Sequence, residues 1–332
     1  MLSLDFELHW GVRNSQRPNG PYRPHLIGAR QVVPRLLELF ERYEVGATWA
    51  TVGFLFARSR SELERFAPRV RPQYTDPNHN PYAEPLGETE EDDPLHFASS
   101  LIHRIARCPR QEIATHTFSH YYCLERGHDP FSFAADLDAA LGIAAAHSIP
   151  IRSIVFPRNQ VTPAYTSVLL KRGIECYRGS AQGWPYRERS RADDRSPLLR
   201  TARLLDTYVD CSGANTVAWE DVLEPSGLSN VRASRFLRPY SRVLGSLEKL
   251  RLRRLTSSLE SAATQKRIYH LWWHPHNFGV NPEENLELLT SVLEVFRRCR
   301  QRYGMQALSM WEASQMARQT SVASRTATSS LA

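Results

Sequence analysis

The chain has 332 residues, of which 42% are apolar, so it is long and apolar enough for a buried core and is not expected to be disordered. Its net charge of +7 favours an anionic partner and does not decide the fold. The five cysteines are scattered and form no C-x-x-C pair, which argues against a disulfide framework and against a thiolate zinc site.

The sequence predicts neither a membrane span nor a secretory signal. No apolar run approaches the roughly 20 residues that a spanning helix needs. Met1 is followed at once by a strand-like segment, without the basic region and the cleavage site of a signal peptide. We therefore expect a cytoplasmic protein from the sequence as written. Because a strand that begins at residue 2 is unusual, the alternative is that a few N-terminal residues are missing.

Strands and helices alternate from the start of the chain. Residues 2–8 alternate apolar and polar side chains, as a strand does. Apolar residues recur at helical spacing over 30–43, and 46–53 has the composition of a second strand. A strand, a helix and a strand in this order form a βαβ unit, which predicts a parallel sheet.

The same alternation continues to the end of the chain. The Pro-rich, acidic segment 68–94 predicts a long surface loop. Asp129 is the predicted N-cap of an Ala-rich helix over 131–147, with Pro130 in its first position. The remaining predicted strands are 112–115, 153–157, 173–177, 268–273 and 304–308, and the remaining helices are 97–106, 164–172, 236–262, 281–303 and 310–318.

The predicted fold class is α/β, as a distorted (β/α) barrel of about seven parallel strands. The absence of G-x-G-x-x-G after the first strand argues against a dinucleotide-binding fold. We predict a single catalytic domain over 1–318, with insertions at about 68–94 and 179–262. Segment 319–332 consists mainly of Ser, Thr and Ala, so we expect a disordered tail there.

Four predicted strand ends carry side chains that can bind a metal or transfer a proton. In a barrel of this kind the carboxyl ends of the strands converge on one mouth, where the chemistry takes place. This convergence is the strongest functional signal in the sequence. The four groups are Asp5 with Glu7, His116 with His120, Arg158 with Asn159, and His274 with His276.

The first two groups together predict a metal site. His116 and His120 are four residues apart, so on a helical turn both imidazoles lie on one face and can bind one ion. For an isolated pair of this spacing, two solvated or capping histidines are favoured by roughly two to one. Asp5 and Glu7 reverse that preference, because residues two apart on a strand share a face. One carboxylate can bind the metal while the other acts as a base, and the pattern leaves open which does which.

The order of these motifs resembles the polysaccharide deacetylase family, carbohydrate esterase family 4. Segment 3–7, Ser-Leu-Asp-Phe-Glu, is similar to a variant of the family's first motif, and 47–53 resembles its second strand. Segment 112–120 resembles the motif that supplies two metal-binding histidines, and 271–275, Leu-Trp-Trp-His-Pro, resembles the last motif. The family's Arg-x-Pro-Tyr motif corresponds to 156–160, where the arginine follows the proline.

The resemblance implies a hydrolase that removes N-acetyl groups from a poly- or oligosaccharide. It implies a divalent metal ion bound by Glu7, His116 and His120. Zinc is the first choice for two histidines and one carboxylate, and cobalt or nickel would also fit these ligands.

The resemblance also implies the catalytic roles. Asp5 corresponds to the catalytic base, and His274 to the acid that protonates the leaving amine. His274 ranks above His276 through the resemblance, because periodicity alone does not separate the two. Arg158 is expected to orient Asp5 through an ion pair.

Two other functions remain open at this stage. A non-catalytic glycan-binding protein on the same fold would need no stoichiometric metal, so metal content distinguishes it from an enzyme. An amidase acting on a non-sugar amide, such as a ureide or a cyclic imide, is distinguished by a substrate screen. The oligomeric state is not predicted.

The basic segment 232–254 has two interpretations. It can be a lid that grips an acidic polysaccharide or a lipid-linked sugar through peripheral contact with a membrane surface. It can also be a solvated helix face outside the barrel, which we favour. No aromatic residues are interleaved with the charges in a nucleic-acid-binding motif, so nucleic acid is not an expected partner. The basic residues are Arg232, Arg235, Arg238, Arg242, Lys249, Arg251, Arg253 and Arg254.

Overall fold

Every residue of the first strand, β1 (Leu2–Phe6), is buried, and the strand pairs in parallel on both sides. Its neighbours are β2 (Ala47–Thr51) and β8 (Leu271–Trp273). The computed structural model describes residues 1–187, 189–190 and 196–329, with the backbone alone for 321–329. The other strands in these ranges are β3 (Gln111–Thr115), β4 (Ser153–Ile154), β5 (Cys176–Tyr177), β6 (Ser229–Asn230) and β7 (Arg235–Phe236).

These strands form one parallel sheet in the order β6-β5-β4-β3-β2-β1-β8-β7. The two edge strands, β6 and β7, are joined by the four-residue segment 231–234, which spans at most about 14 Å when extended. The Val231 N–H donates to the Tyr177 carbonyl at 2.9 Å, and the Ser234 N–H donates to the His270 carbonyl at 2.8 Å. The connection therefore brings the edges near each other, and the predicted distorted (β/α) barrel is confirmed.

An α-helix follows each described strand except β6, which leads directly into β7. Asp129 caps its helix by accepting hydrogen bonds from the N–H groups of Phe131 and Ser132, both at 2.9 Å. No helix in the described ranges is long and apolar enough to cross a membrane. The helices are α1 (Arg23–Arg42), α2 (Arg60–Phe66), α3 (Ser99–Arg107), α4 (Pro130–Ala146), α5 (Pro163–Leu169), α6 (Pro197–Tyr208), α7 (Glu248–Thr264), α8 (Pro282–Tyr303) and α9 (Met310–Ser329).

Several parts of the chain differ from the sequence prediction. The predicted helix over 236–262 begins only at Glu248, because Phe236 belongs to β7 and 237–247 contain no α-helix. Strands β6 and β7 have two residues each, which is too few to produce an alternating pattern. Segment 304–308 was predicted as a strand but is irregular. Helix α9 continues to Ser329, so the predicted tail over 319–332 is helical as far as it is described. Alanine favours a helix, and neither glycine nor proline interrupts this segment.

The basic segment 232–254 is partly internal. Arg235 is buried and lies 3.0 Å from the Asp206 carboxylate. Arg254 is also buried and lies 2.8 Å from Asp210, while Arg251 pairs with Glu248. All three guanidinium groups form ion pairs within the fold. They do not form part of a solvated face or of a surface that could contact a membrane.

Candidate active site and metal centre

The carboxyl ends of the strands surround one cavity of about 620 Å³. All six residues that the sequence and the resemblance select for catalysis or metal binding line this cavity, although they come from four distant parts of the chain. His276, which periodicity alone did not separate from His274, is not in the described lining. The six residues are Asp5, Glu7, His116, His120, Arg158 and His274.

Glu7 lies between the two histidines of the predicted metal site. Its Oε2 atom is 3.3 Å from His116 Nε2 and 3.1 Å from His120 Nε2. All three side chains are buried, and their ligand atoms lie within 4.8 Å of one another. This grouping of two imidazole nitrogens and one carboxylate oxygen suits zinc and similar transition ions.

The hydrogen bonds around the histidines support this interpretation. His116 Nδ1 lies 2.8 Å from the Val155 carbonyl, which can only accept a hydrogen bond, so Nδ1 carries the proton of the neutral ring. The lone pair of Nε2 then faces the Glu7 carboxylate, an arrangement that is repulsive unless a cation lies between them. A metal-binding histidine usually donates its other N–H in this way. The chemistry of these residues therefore fits a divalent ion.

Glu7 and His120 are both held in the protonation state that metal binding requires. Burial opposes ionisation of Glu7, but the nearby His274, His116 and His120 outweigh it, and the pKa of Glu7 is well below its ordinary value. Burial lowers the pKa of His120 to about 4. Gly11 leaves room for the Glu7 carboxylate, since a Cβ atom at Gly11 would lie 1.9 Å from Glu7 Cδ.

The two histidines lie on an irregular loop and not on a helical turn. Thr117 and His120 have positive φ angles, of 64° and 58°, which are unusual for residues with side chains. The buried Asp136 of α4 holds this loop by accepting hydrogen bonds from Phe118 N at 2.7 Å and Ser119 N at 3.2 Å. The Ser119 hydroxyl also donates to it. Residues kept in such rare conformations are common at functional sites.

Asp136 is a site residue that was not predicted, although the sequence contains a signal for it. Asp136 lies on the same helix face as Phe133, Leu137 and Ala140, all of which are buried. An acid within an apolar stripe needs hydrogen-bond donors from elsewhere in the fold. The stripe would have indicated a buried acid, but it could not indicate that the donors belong to the histidine loop.

The expected ion pair between Arg158 and Asp5 is wrong. Arg158 pairs with Glu125 at 2.8 Å, and its guanidinium lies 3.9 Å from the centre of the Tyr122 ring. Arg178 takes the predicted position instead, with its two terminal nitrogens each 2.7 Å from an Asp5 oxygen. Arg178 directly follows β5, so the rule that functional residues follow strands would have selected it as well.

Arg178 is itself held by a buried polar network. It donates to the Ser3 hydroxyl at 3.0 Å and to Asn159 Oδ1 at 2.9 Å, and Ser3 is bonded to His270 Nε2 at 2.8 Å. Burial opposes ionisation of Asp5, but the charge of Arg178 leads the groups that outweigh it, and the pKa of Asp5 is lowered from its ordinary value. Asp5 is therefore ionised at neutral pH and fixed in orientation.

His274 and His276 lie in different environments, although their rings stack at a centroid distance of 4.8 Å. His274 is partly exposed and lines the cavity, with its Nε2 atom 3.5 Å from Glu7 Oε1 and 3.9 Å from Asp5 Oδ2. His276 is buried, and burial lowers its pKa to about 3. Of the two, His274 is the one that a molecule in the cavity can reach.

Solved structures of other proteins share this fold. A protein from Mycobacterium smegmatis, described as a polysaccharide deacetylase, superposes with a TM-score of 0.57 at 14% identity, over 97% of this chain and 91% of that one. The chain has the polysaccharide deacetylase fold. No protein-family model matches its sequence, and no curated protein does so either.

Two further structures are similar to a lesser degree. A protein from Pseudomonas aeruginosa PAO1, also described as a polysaccharide deacetylase, has a TM-score of 0.49 at 10% identity, over 95% of this chain and 82% of that one. A pseudoenzyme of carbohydrate esterase family 4 from Bacillus anthracis has a TM-score of 0.41 at 13% identity, over 95% of this chain and 65% of that one. At such identities the likeness concerns the fold alone and does not establish the function.

Proposed function

We propose that the protein is a metal-dependent hydrolase that removes N-acetyl groups from a poly- or oligosaccharide. The observation that carries this proposal is the position of Glu7 Oε2, within 3.3 Å of both His116 Nε2 and His120 Nε2 beside the ionised Asp5. A divalent ion held by Glu7, His116 and His120 would polarise the acetyl carbonyl and make water a better nucleophile at neutral pH.

The side chains of the site would move the protons of the reaction. Asp5 accepts a proton from the attacking water at a carboxylate oxygen, and Arg178 keeps that carboxylate oriented. His274 donates a proton to the nitrogen of the leaving amine, which makes rupture of the carbon–nitrogen bond easier. The products are acetate and a free amino sugar.

The lining of the cavity suits a sugar that carries negative charge. Trp272 and Phe236 contribute aromatic surface on which the apolar face of a sugar ring can stack. The acids in the described lining are Asp5 and Glu7, so the arginines outnumber them there. Guanidinium groups bind carboxylate and phosphate groups in particular. Arginines in the described lining include Arg158, Arg187, Arg189, Arg200, Arg203 and Arg238.

Metal content and acetate release test the proposed function. We expect purified wild-type protein to contain the metal of this site and to release acetate from N-acetylated oligosaccharides. We expect His116→Ala to have lost both properties. His103→Ala is the matched control and should retain both, because His103 of α3 is bonded to His147 and is not in the described lining of the cavity. Equal metal content and equal activity in wild type and His116→Ala would refute the proposal.

Substrate charge is tested with a matched pair of oligosaccharides. We expect faster acetate release from N-acetylated chains that contain uronate residues than from neutral chains of the same length, with a difference that shrinks as salt is added. If no metal binds even in excess zinc and no acetate forms, binding of the same oligosaccharides would favour the non-catalytic glycan-binding alternative. Release of product from a ureide or a cyclic imide, but from no sugar, would favour the amidase alternative.

A further inference from the structure

A second group of side chains that could bind a metal ion lies outside the cavity lining described above. His9, in the turn Leu8–Gly11 after β1, has its Nδ1 atom 2.8 Å from His96 Nε2. Glu84 Oε1 is 3.7 Å from the first of these atoms and 3.8 Å from the second. Both histidines are buried, and Glu84 is partly exposed. The three possible ligand atoms therefore lie within 3.8 Å of one another.

Hydrogen bonds on the far side of each ring determine where the ring protons are. His9 Nε2 lies 3.0 Å from the Gln16 carbonyl, which can only accept. His96 Nδ1 lies 2.8 Å from the Asp93 carboxylate, which also accepts. A neutral imidazole has one N–H. In its neutral form each ring therefore donates its one N–H to its outward partner, Gln16 or Asp93. The lone pair of the second nitrogen of each ring then points toward the other ring.

Two lone pairs facing each other at 2.8 Å, beside a carboxylate, repel unless a cation lies among them. A proton shared by the two rings would satisfy both nitrogens but would not engage Glu84, whose oxygen is too distant for a hydrogen bond to either nitrogen, whereas a metal ion would engage all three atoms. In a tetrahedral site with bonds of about 2.0–2.1 Å, ligand atoms are about 3.3 Å apart. The three observed separations bracket that value.

We propose that His9, Glu84 and His96 form a second metal site, with a structural role, for zinc or a similar transition ion. Nitrogen ligands select such ions over magnesium and calcium. Outward hydrogen bonds from both rings, to a carbonyl and to a carboxylate, are the usual support of metal-binding histidines. This proposal does not depend on the proposed function, because its ligands are different side chains.

The position of this site explains what a bound ion does there. Glu84 belongs to the segment 68–94, which contains no strand and only single helical turns. The ion cross-links that segment to the turn that follows Glu7. The Trp10 indole N–H donates to the His96 carbonyl at 3.0 Å, so the turn already contacts the chain just after that segment. An ion at this point therefore holds the long surface segment against the rim of the active site.

Metal counting in a background without the first site tests this inference. The full-length protein is stripped with a chelator, loaded with zinc, desalted and analysed for its elements. We expect two equivalents in wild type, one in His116→Ala, and none in the double variant His116→Ala with His96→Asn. Glu84→Gln in the same background should weaken zinc binding at least tenfold in a competition titration. Glu88→Gln, an exposed acid of the same segment, is the control and should change nothing.

Thermal unfolding gives a second readout that does not require activity. Zinc should raise the unfolding temperature of His116→Ala, because an ion that binds the folded state alone stabilises it. The increase should disappear with Glu84→Gln, whose metal-free form should unfold at the temperature of the metal-free parent. The inference is overturned if His116→Ala binds no zinc, or if Glu84→Gln and His96→Asn leave its zinc binding unchanged. Zinc that depends on Glu84 in a protein without deacetylase activity would count against the proposed function alone.

Discussion

Arg178 and Asp5 form a fully internal ion pair, with both terminal nitrogens of the guanidinium 2.7 Å from a carboxylate oxygen. The guanidinium also lies 4.2 Å from the centre of the Trp272 ring, which lines the cavity. A two-point contact of this kind fixes both the position and the rotation of the carboxylate. The candidate base is therefore oriented by a residue that lies 173 positions later in the chain.

Replacing Arg178 by methionine should move the acid limb of the pH profile to higher pH. In the wild type, Asp5 has a lowered pKa, so activity that needs the ionised carboxylate persists above that pKa and is lost as the pH falls through it. Without Arg178, the main group that opposes the effect of burial is lost, so the pKa of Asp5 rises. We expect the acid limb of kcat/KM to shift upward by at least about one pH unit. The free energy of unfolding at pH 7 should fall by about 3–5 kcal/mol.

Arg158→Met is the matched control for this experiment. Arg158 lines the cavity but pairs with Glu125, so its loss can change substrate binding without changing the pKa of Asp5. We expect its acid limb to coincide with that of the wild type. A shift in Arg158→Met together with an unshifted Arg178→Met would mean that Arg158 orients Asp5 after all.

Gly11→Ala should weaken metal binding at the Glu7 site. A Cβ atom at this position would lie 1.9 Å from Glu7 Cδ, so the carboxylate must move away from the two histidines. We expect the zinc affinity to fall at least tenfold in a competition titration. Gly142→Ala in α4 is the control, because its nearest neighbour is a Phe66 ring atom at 3.6 Å and alanine favours a helix. An unchanged affinity in Gly11→Ala would show that Glu7 is not a ligand in this orientation.

His274→Ala should reduce turnover while leaving the metal in place. His274 lies at the cavity, whereas the proposed ligands are Glu7, His116 and His120. Loss of a proton donor typically costs about 10²–10⁴-fold in rate. We expect a loss of this size in kcat for N-acetyl substrates and a smaller one for O-acetyl esters, since an alkoxide leaves more readily than an amide anion. The same loss for both substrates would argue against proton donation by His274.

Asp136→Asn should change how the stability of the protein depends on pH. Burial raises the pKa of Asp136 to about 7, although hydrogen bonds from Ser119 and Phe118 oppose this rise. The contribution of this group to stability is fully present below its ordinary pKa of 3.8 and is lost as the pH rises to about 7. In wild type the free energy of unfolding should therefore fall by up to about 1.4 kcal/mol for each unit by which the pH rises within that window.

This effect is measured by chemical denaturation at a series of pH values from about 4 to about 8, a range that covers the interval between the ordinary and the raised pKa of Asp136. We expect the profile of Asp136→Asn to lack the decrease that the wild type shows. Because the asparagine amide also brings donors toward Ser119, the histidine loop should loosen and zinc affinity should fall. Parallel pH profiles in the two proteins would mean that Asp136 is ionised throughout and that its three donors outweigh burial.

The sequence by itself determined the order of the elements and the positions of most candidate site residues. Asp129 and Pro130 marked the start of α4 because capping is a local interaction. The strand-end positions of Glu7 and His120 were predictable because a parallel barrel directs the carboxyl end of each strand to one mouth. Periodicity also revealed the longer helices, since their buried faces repeat along the chain.

Only the tertiary structure decided which groups meet at that mouth. Arg158 and Arg178 both follow strands. Which of them pairs with Asp5 depends on strand order and on side-chain direction, and the local sequence indicates neither. The carboxylate of Asp136 reaches the histidine loop through packing of α4 against it. A strand of two residues is too short to show an alternating pattern, so β6 and β7 are recognised only by their pairing with β5 and β8. Local propensity acts over a few residues, whereas these contacts arise when distant segments are packed together.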